Sequence, residues 1–175
     1  PETYALSPFI FLLYWMDTLV FMKLLVGLFC GLGILGILKL GQKLQWNPNQ
    51  QRIFAALFLF SPIGIQHLAI GYFPWLNIYL FPWLLFFLIE EKTITAALGS
   101  AAVLALVLLQ GGLHPFVWFS IFLGIFYLIH FLQKPAVKTV LMVIAIFALT
   151  ALLSFVRLGT SIQTFADFQQ RFFNG

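Results

Sequence analysis

Read by polarity alone, the chain alternates long apolar runs with short polar interruptions. A helix crossing the ~30 Å hydrocarbon layer of a bilayer needs ~20 mostly apolar residues. Six runs approach that length: Thr18 to Leu40, Ile53 to Ile70, Pro74 to Ile89, Thr93 to Leu109, Pro115 to Leu132 and Val137 to Val156. None carries the polar face that a helix of a soluble bundle shows. The pattern therefore predicts an all-α fold, a polytopic transmembrane bundle of about six membrane helices. The segment "SPFIFLLYWM" before them is too short to cross and reads as an interfacial or re-entrant helix with Tyr14 and Trp15 at headgroup level. After them, "TSIQTFADFQQRFF" sets Ile162, Phe165, Phe168 and Phe172 at helical spacing with Gln163, Asp167 and Gln170 between, the pattern of an amphipathic surface helix. The expected organisation is a loop end with an interfacial helix (1–16), the bundle (17–156) and a juxtamembrane helix (157–175).

Two interruptions, "SPIGIQHLAIGYFPW" and "QGGLHPFVW", combine glycine, proline and histidine, and both are predicted as turns at one face of the membrane. Pro62 and Pro82 fall inside apolar runs, where proline removes a backbone donor and kinks or locally unwinds a helix. Packed neighbours then have to satisfy the freed carbonyls. Gly27 and Gly31 form a G-x-x-x-G, expected to admit a neighbouring helix of the same bundle, with dimerisation as the alternative use.

Composition sharpens this picture. Only 8% of residues are charged and 62% are hydrophobic, against ~25% charged in soluble domains, and mean hydropathy is +1.04. The net charge of +4 does not mark a nucleic-acid binder, because the basic residues lie scattered at run ends. Lys39, Lys43, Arg52, Lys92, Lys134 and Lys138 fall on three alternating connections, leaving Lys23, Arg157 and Arg171 on the other side. Basic residues are retained in the cytoplasm. Both ends of the chain and both glycine–proline turns are thus expected to be extracytoplasmic. Cys30 has no second cysteine to pair with. The start at Pro1, with no basic region before a short apolar segment, fits an internal piece of a longer polypeptide, whose remainder is then a partner of this one.

Ionisable groups at membrane depth call for a reason. On the extracytoplasmic face these are Asp17, Lys23, His67, His114, Arg157 and Asp167. Asp17 opens the first membrane helix, where a carboxylate caps the backbone or serves in catalysis or at a lipid phosphate. Lys23 either snorkels to the headgroups or holds a phosphate. Arg157 is either an interfacial anchor or a bidentate phosphate ligand. His67 and His114 stand at matching helix ends, in structural or substrate-contacting roles, and without a nearby Cys, Asp or Glu they make a poor metal site. His130 reads as interfacial near the cytoplasmic end, and Glu90 and Glu91 as loop charges. No phosphate-binding loop, nucleophile elbow, ion filter or intramembrane carboxylate chain is present. No cofactor is evident, and divalent-metal dependence is left open.

The order of a glycine-rich helix ending in basic residues ("GLGILGILKLGQKL"), "SPIGIQHLAIGYF", a proline-containing helix ending in acidic residues ("WLNIYLFPWLLFFLIEEK") and "LLQGGLHPF" resembles the membrane core of GT-C-type glycosyltransferases. The likeness is strongest to the large bacterial multi-pass group and covers about Ser7 to Val156. It implies sugar transfer from a polyprenyl-phosphate carrier to an acceptor on the outer face of the bacterial inner membrane. The principal acidic residue is then expected upstream of Pro1, with Asp17 at the start of the second family helix. Relatives carry an acidic residue or a Gly-His in the second external loop, where this chain has Tyr72 after Gly71. By the same resemblance His114 is a substrate contact, and Lys23 and Arg157 stabilise the departing lipid phosphate; His67 and Tyr72 join them as candidate lipid-phosphate or substrate-binding residues. A transporter or flippase-like permease, or a non-catalytic membrane subunit, is the alternative reading.

Overall fold

A computed structural model describes residues 7–90, 93–157 and 159, and all regular structure among them is helical. The amphipathic segment with Ile162, Phe165, Asp167, Phe168 and Phe172, and the charges Glu91 and Lys92, lie outside the described residues. A short 3-10 helix, Ile10–Tyr14, precedes α1 (Thr18–Lys43). Tyr14 and Trp15 are 90% and 85% exposed, while Phe9 sets its ring edge-on to Phe29 at 6.2 Å and ties the segment to α1. After α1 come α2 (Pro48–Leu59) and α3 (Pro62–Ala69). A 3-10 stretch (Phe73–Leu80) then runs into α4 (Phe81–Leu88), and α5 (Thr93–Leu109), α6 (Leu113–Gln133) and α7 (Val137–Leu153) complete the order.

Local chemistry explains these boundaries. Asp17 accepts from the Leu19 amide at 3.0 Å and caps α1. Asn47 and Gln50 exchange side-chain and backbone hydrogen bonds at 2.8 Å each, a capping box with Pro48 in the first turn. Proline breaks the second apolar run, because Pro62 has no amide to offer and starts α3 after α2 has ended at Leu59. A freed carbonyl finds a partner: the Tyr79 hydroxyl donates to Leu59 O at 3.2 Å. The run around Pro82 changes from 3-10 to α geometry instead of breaking.

Side by side, the helices form rods in which chain neighbours run antiparallel, with α2 and α3 making one broken rod. α5 packs against α4, α6 and α7, and its small residues Ala97, Ser100 and Ala101 are buried, so neighbouring backbones approach closely. The outward surface is apolar. Leu19, Leu24, Ile53, Leu57, Ile125, Ile129, Leu141 and Ile144 are all exposed, an arrangement that water penalises and lipid accepts. Among the described residues three helices are long and apolar enough to cross a membrane: Thr18–Lys43, Pro48–Ala69 and Leu113–Gln133. Phe73–Leu88, Ile94–Leu109 and Val137–Leu153 are apolar and shorter.

Glycine use on α1 departs from expectation. A Cβ on Gly27 or Gly31 meets nothing within 4 Å, so the G-x-x-x-G faces away from the neighbouring rods. Contact falls instead to Gly33, against Tyr79, and Gly36, where a Cβ comes to 2.9 Å from Trp83 and 3.0 Å from Pro82. Trp83 Nε1 donates to Leu32 O at 2.8 Å across the same seam. The helix turns ~100° per residue, so Gly33 and Gly36 share the face of buried Phe29 and Leu40, whereas the 27/31 pair lies off it.

Gly36→Leu is expected to lower stability by ~1–3 kcal/mol, the usual effect of overpacking, and Gly27→Leu to leave it unchanged or raise it by up to ~1 kcal/mol through helix propensity. Thermal unfolding of both variants in the same detergent checks this. Equal destabilisation contradicts the seam described above.

Candidate functional site

The two glycine–proline interruptions are built the same way. At the end of α3, Gly71 has φ +74°, its amide donates to Leu68 O at 3.0 Å, and the Tyr72 amide donates to His67 O at 2.8 Å. At the end of α5, Gly111 has φ +75°, its amide donates to Leu108 O at 2.9 Å, and the Gly112 amide donates to Val107 O at 2.9 Å. Each is a Schellman cap, in which a left-handed residue reverses the chain and satisfies the last carbonyls of the helix. Glycine occupies that position without the Cβ clash other residues suffer. Satisfying carbonyls within the turn also suits a low-dielectric surrounding.

Capping decides where the histidines go. In α3 it brings Tyr72 back over His67, with ring centroids 6.2 Å apart and planes at 43°. The chain then turns through Pro74, and Trp75 stacks on His67 at 4.1 Å and 26°. From the other turn, His114 at the start of α6 lies nearly parallel to the same indole, 6.3 Å away and 15° tilted. His67, Trp75 and His114 thus form one aromatic column with Tyr72 at its flank. His67 is half-buried, and His114 and Tyr72 are exposed. Predicted site residues His67, His114 and Tyr72 are brought together. Trp75 joins them unpredicted, since an interfacial tryptophan gives no sign of what its faces touch.

The remaining sequence candidates sit apart from this column. Asp17 is spent on capping α1. Lys23 is exposed, two residues from each of buried Phe21 and Leu25, hence ~200° round the helix from both and directed away from the bundle. Neither makes a hydrogen bond or ion pair with the column among the described residues. Arg157 is half-buried, in the helical turn after α7. By the antiparallel order of the rods, the starts of α1 and α6 and the ends of α3, α5 and α7 share this end of the bundle. No group of three or more His, Cys, Asp or Glu that could hold a metal occurs among the described residues.

Below the column lies a feature sequence reading did not single out. Asn77 and Gln110 are 1% and 2% exposed, at the end of the bundle beneath Trp75 and Gly111. Asn77 Nδ2 donates to Pro74 O at 2.8 Å, but Asn77 Oδ1 and Gln110 Nε2 have no partner among the described residues. Both line a cavity of about 10 Å³ whose other walls are Leu25, Phe29, Phe73 and Leu76. A Cβ on Gly112 reaches 2.5 Å from Asn77 Nδ2, which accounts for glycine in the second position of "GG". The only clue in the sequence is an amide directly before a glycine pair.

Comparison of the chain with protein-family models, curated proteins and solved structures finds no match.

A buried amide without partners costs ~1–3 kcal/mol. Gln110→Leu is therefore expected to leave stability unchanged or raise it by ~1 kcal/mol. Gly112→Ala is expected to lower it by ~1–3 kcal/mol by driving a methyl into Asn77. Denaturation of the two variants in one detergent gives the comparison, and a large loss in Gln110→Leu contradicts the absence of a partner.

Proposed function

We propose that the chain is the membrane scaffold of a GT-C-like glycosyltransferase, in which the histidine end faces the extracytoplasmic side and receives the phosphate of a polyprenyl-phosphate-linked sugar. All six rods cross the bilayer in this reading, with the three shorter ones accommodated by local thinning. The observation that carries it is the convergence of both glycine–proline turns on Trp75, which gathers His67, His114 and Tyr72 at one end of the bundle. Polar groups that converge at the mouth of a helix bundle are what a ligand headgroup needs.

Electrostatics add support. The N-terminus of α6 opens at Leu113, and Gly112 before it supplies no side-chain cap. Leu113 N donates to Gly111 O, Phe116 N donates to Gly112 O and Pro115 has no amide, so the His114 amide and the positive end of the helix dipole are what this turn offers an anion. Arg157 follows α7 at the same end. In sugar transfer these groups stabilise the leaving phosphate. A carboxylate that deprotonates the acceptor belongs, by the resemblance, to the polypeptide before Pro1. The permease reading draws on a separate observation, the broken α2–α3 rod and the 3-10 stretch holding buried Asn77, because interrupted helices also build transport sites.

Two measurements on the chain decide. In a Cys30→Ala background, Ile70→Cys is expected to react with an impermeant maleimide from outside intact cells, and Lys134→Cys only after permeabilisation. In detergent, polyprenyl monophosphate is expected to bind and polyprenol to bind at least ~10-fold more weakly, since a charge-assisted hydrogen bond is worth ~1.5–3 kcal/mol. The preference is expected to vanish in His67→Ala/His114→Ala/Arg157→Gln. Reversed labelling, or equal binding of the two lipids, overturns the proposal.

A further inference from the structure

The opposite end of the bundle carries its own site. A cleft of about 410 Å³ opens between the ends of α4 and α6 and the starts of α5 and α7. Its rim holds His130, Lys134 and Lys138, its floor holds Tyr127 and Thr139, and Phe126 and Met142 form an apolar wall. The "HFLQKPAVK" link places the cations. Pro135 ends α6, and Lys134 (φ −141°, ψ 87°) and Ala136 (φ −136°, ψ 133°) are extended, so the two lysines approach the cleft from either side of the turn.

Three observations bear on an occupant. Charge comes first. The one carboxylate lining the cleft among the described residues, Glu90, is held by Lys43 at 2.6 Å, whereas Lys134 and Lys138 have no acidic partner among those residues. Second, Tyr127 and Thr139 are each only 8% exposed and line the cleft, yet neither hydroxyl has a hydrogen-bond partner among the described residues. Both hydroxyls open onto the cleft, so each has a donor to offer an acceptor seated there. Third, Ala136 gives α7 no side-chain cap; Thr139 N donates to Ala136 O at 3.0 Å, and the Val137 and Lys138 amides before it are left without an intrahelical acceptor. The site offers cations, hydroxyl donors and backbone donors together, with an apolar wall running toward the lipid-facing surface.

We infer that this cleft binds the phosphate headgroup of an anionic phospholipid, held by Lys134, Lys138, Tyr127 and Thr139, with an acyl chain along Phe126 and Met142. Basic pockets between membrane helices on the positive side of a bundle recognise such headgroups. The site is independent of whatever chemistry the histidine end performs. It also bridges α4, α6 and α7, so an occupying lipid braces the end of the bundle where the α6–α7 link is extended.

The test reconstitutes the purified chain in nanodiscs of mixed phosphatidylcholine and phosphatidylglycerol and counts retained lipid by native mass spectrometry after release into detergent. Wild type is expected to retain phosphatidylglycerol selectively. Lys134→Gln/Lys138→Gln is expected to reduce that selectivity ~30-fold, at ~5-fold per lysine. Lys39→Gln/Arg52→Gln removes the same charge from exposed positions outside the cleft and is expected to change it less than ~3-fold. Tyr127→Phe is expected to weaken retention at unchanged net charge. Equal loss in the two double variants reduces the effect to surface charge and overturns the inference. So does displacement of the lipid by inorganic phosphate, which makes the site one for a free anion.

Discussion

The side chain of Tyr79 is the point on which the packing of the first half depends. Its hydroxyl donates to the Leu59 carbonyl at the α2–α3 break, its ring stands edge-on to Phe58 at 5.7 Å, and Gly33 of α1 and Gly64 of α3 are small enough to lie against it. The constraint behind this is the hydrocarbon itself, where a backbone group released from a helix finds no water. A proline in the second rod is tolerable only if a neighbour provides a donor, and a donor reaches that depth only if glycines let the rods close up. Pro62, Tyr79, Gly33 and Gly64 are thus parts of one arrangement.

The same constraint shapes both ends. Three turns use the Schellman pattern, at Gly71, at Gly111 and at Gln45, which is left-handed with φ +56° despite its side chain. In each the last carbonyls are satisfied inside the turn. At Gly71 the cap also sets the ring of Tyr72 over His67, so the geometry that ends α3 is the geometry that begins the aromatic column. The opposite end spends its charge differently. Lys43 and Glu90 neutralise each other across α1 and α4, with the Lys43 ammonium 5.5 Å from the Phe86 ring, and the lysines of the α6–α7 link remain directed at a cleft.

Much of this was legible in the chain. Apolar runs locate the rods to within a few residues because run length is a property of the sequence, and Asp17, Pro62 and the glycine turns act locally. What depends on a partner was not legible. Gly27 and Gly31 match the motif for close helix approach, yet Gly33 and Gly36 make the contact, because only the register of α1 against Tyr79 and Trp83 decides which glycines face inward. Trp75 looked like any interfacial tryptophan until two separate turns brought a histidine to it. Asn77 and Gln110 are distant in sequence and meet only through the fold. Six apolar runs also do not become six helices of spanning length, since the Phe73–Leu88 rod changes helix type and α5 and α7 are short.

Length therefore limits the proposed six-span arrangement, and the structure distributes the shortfall unevenly. Phe73–Leu80 in 3-10 form rises ~2.0 Å per residue, against ~1.5 Å in α4, so that rod extends ~28 Å where sixteen α-helical residues extend ~24 Å. α7 gains a further helical turn through Phe155 to Arg157 after the bend at Ser154, which carries it to ~31 Å. α5, at ~26 Å, gains nothing of the kind. It is also the rod most enclosed by protein, with Ala101, Leu104 and Val107 at 0% exposure. A helix surrounded by other helices need not match the lipid, because its ends meet protein and turn. The rods that present apolar residues outward, α1, the α2–α3 rod, α6 and α7 with its added turn, are the longer ones. Mismatch is thus placed where the bilayer has least contact with it, and the small residues that shorten the distance between α5 and its neighbours are what allow it to stay inside.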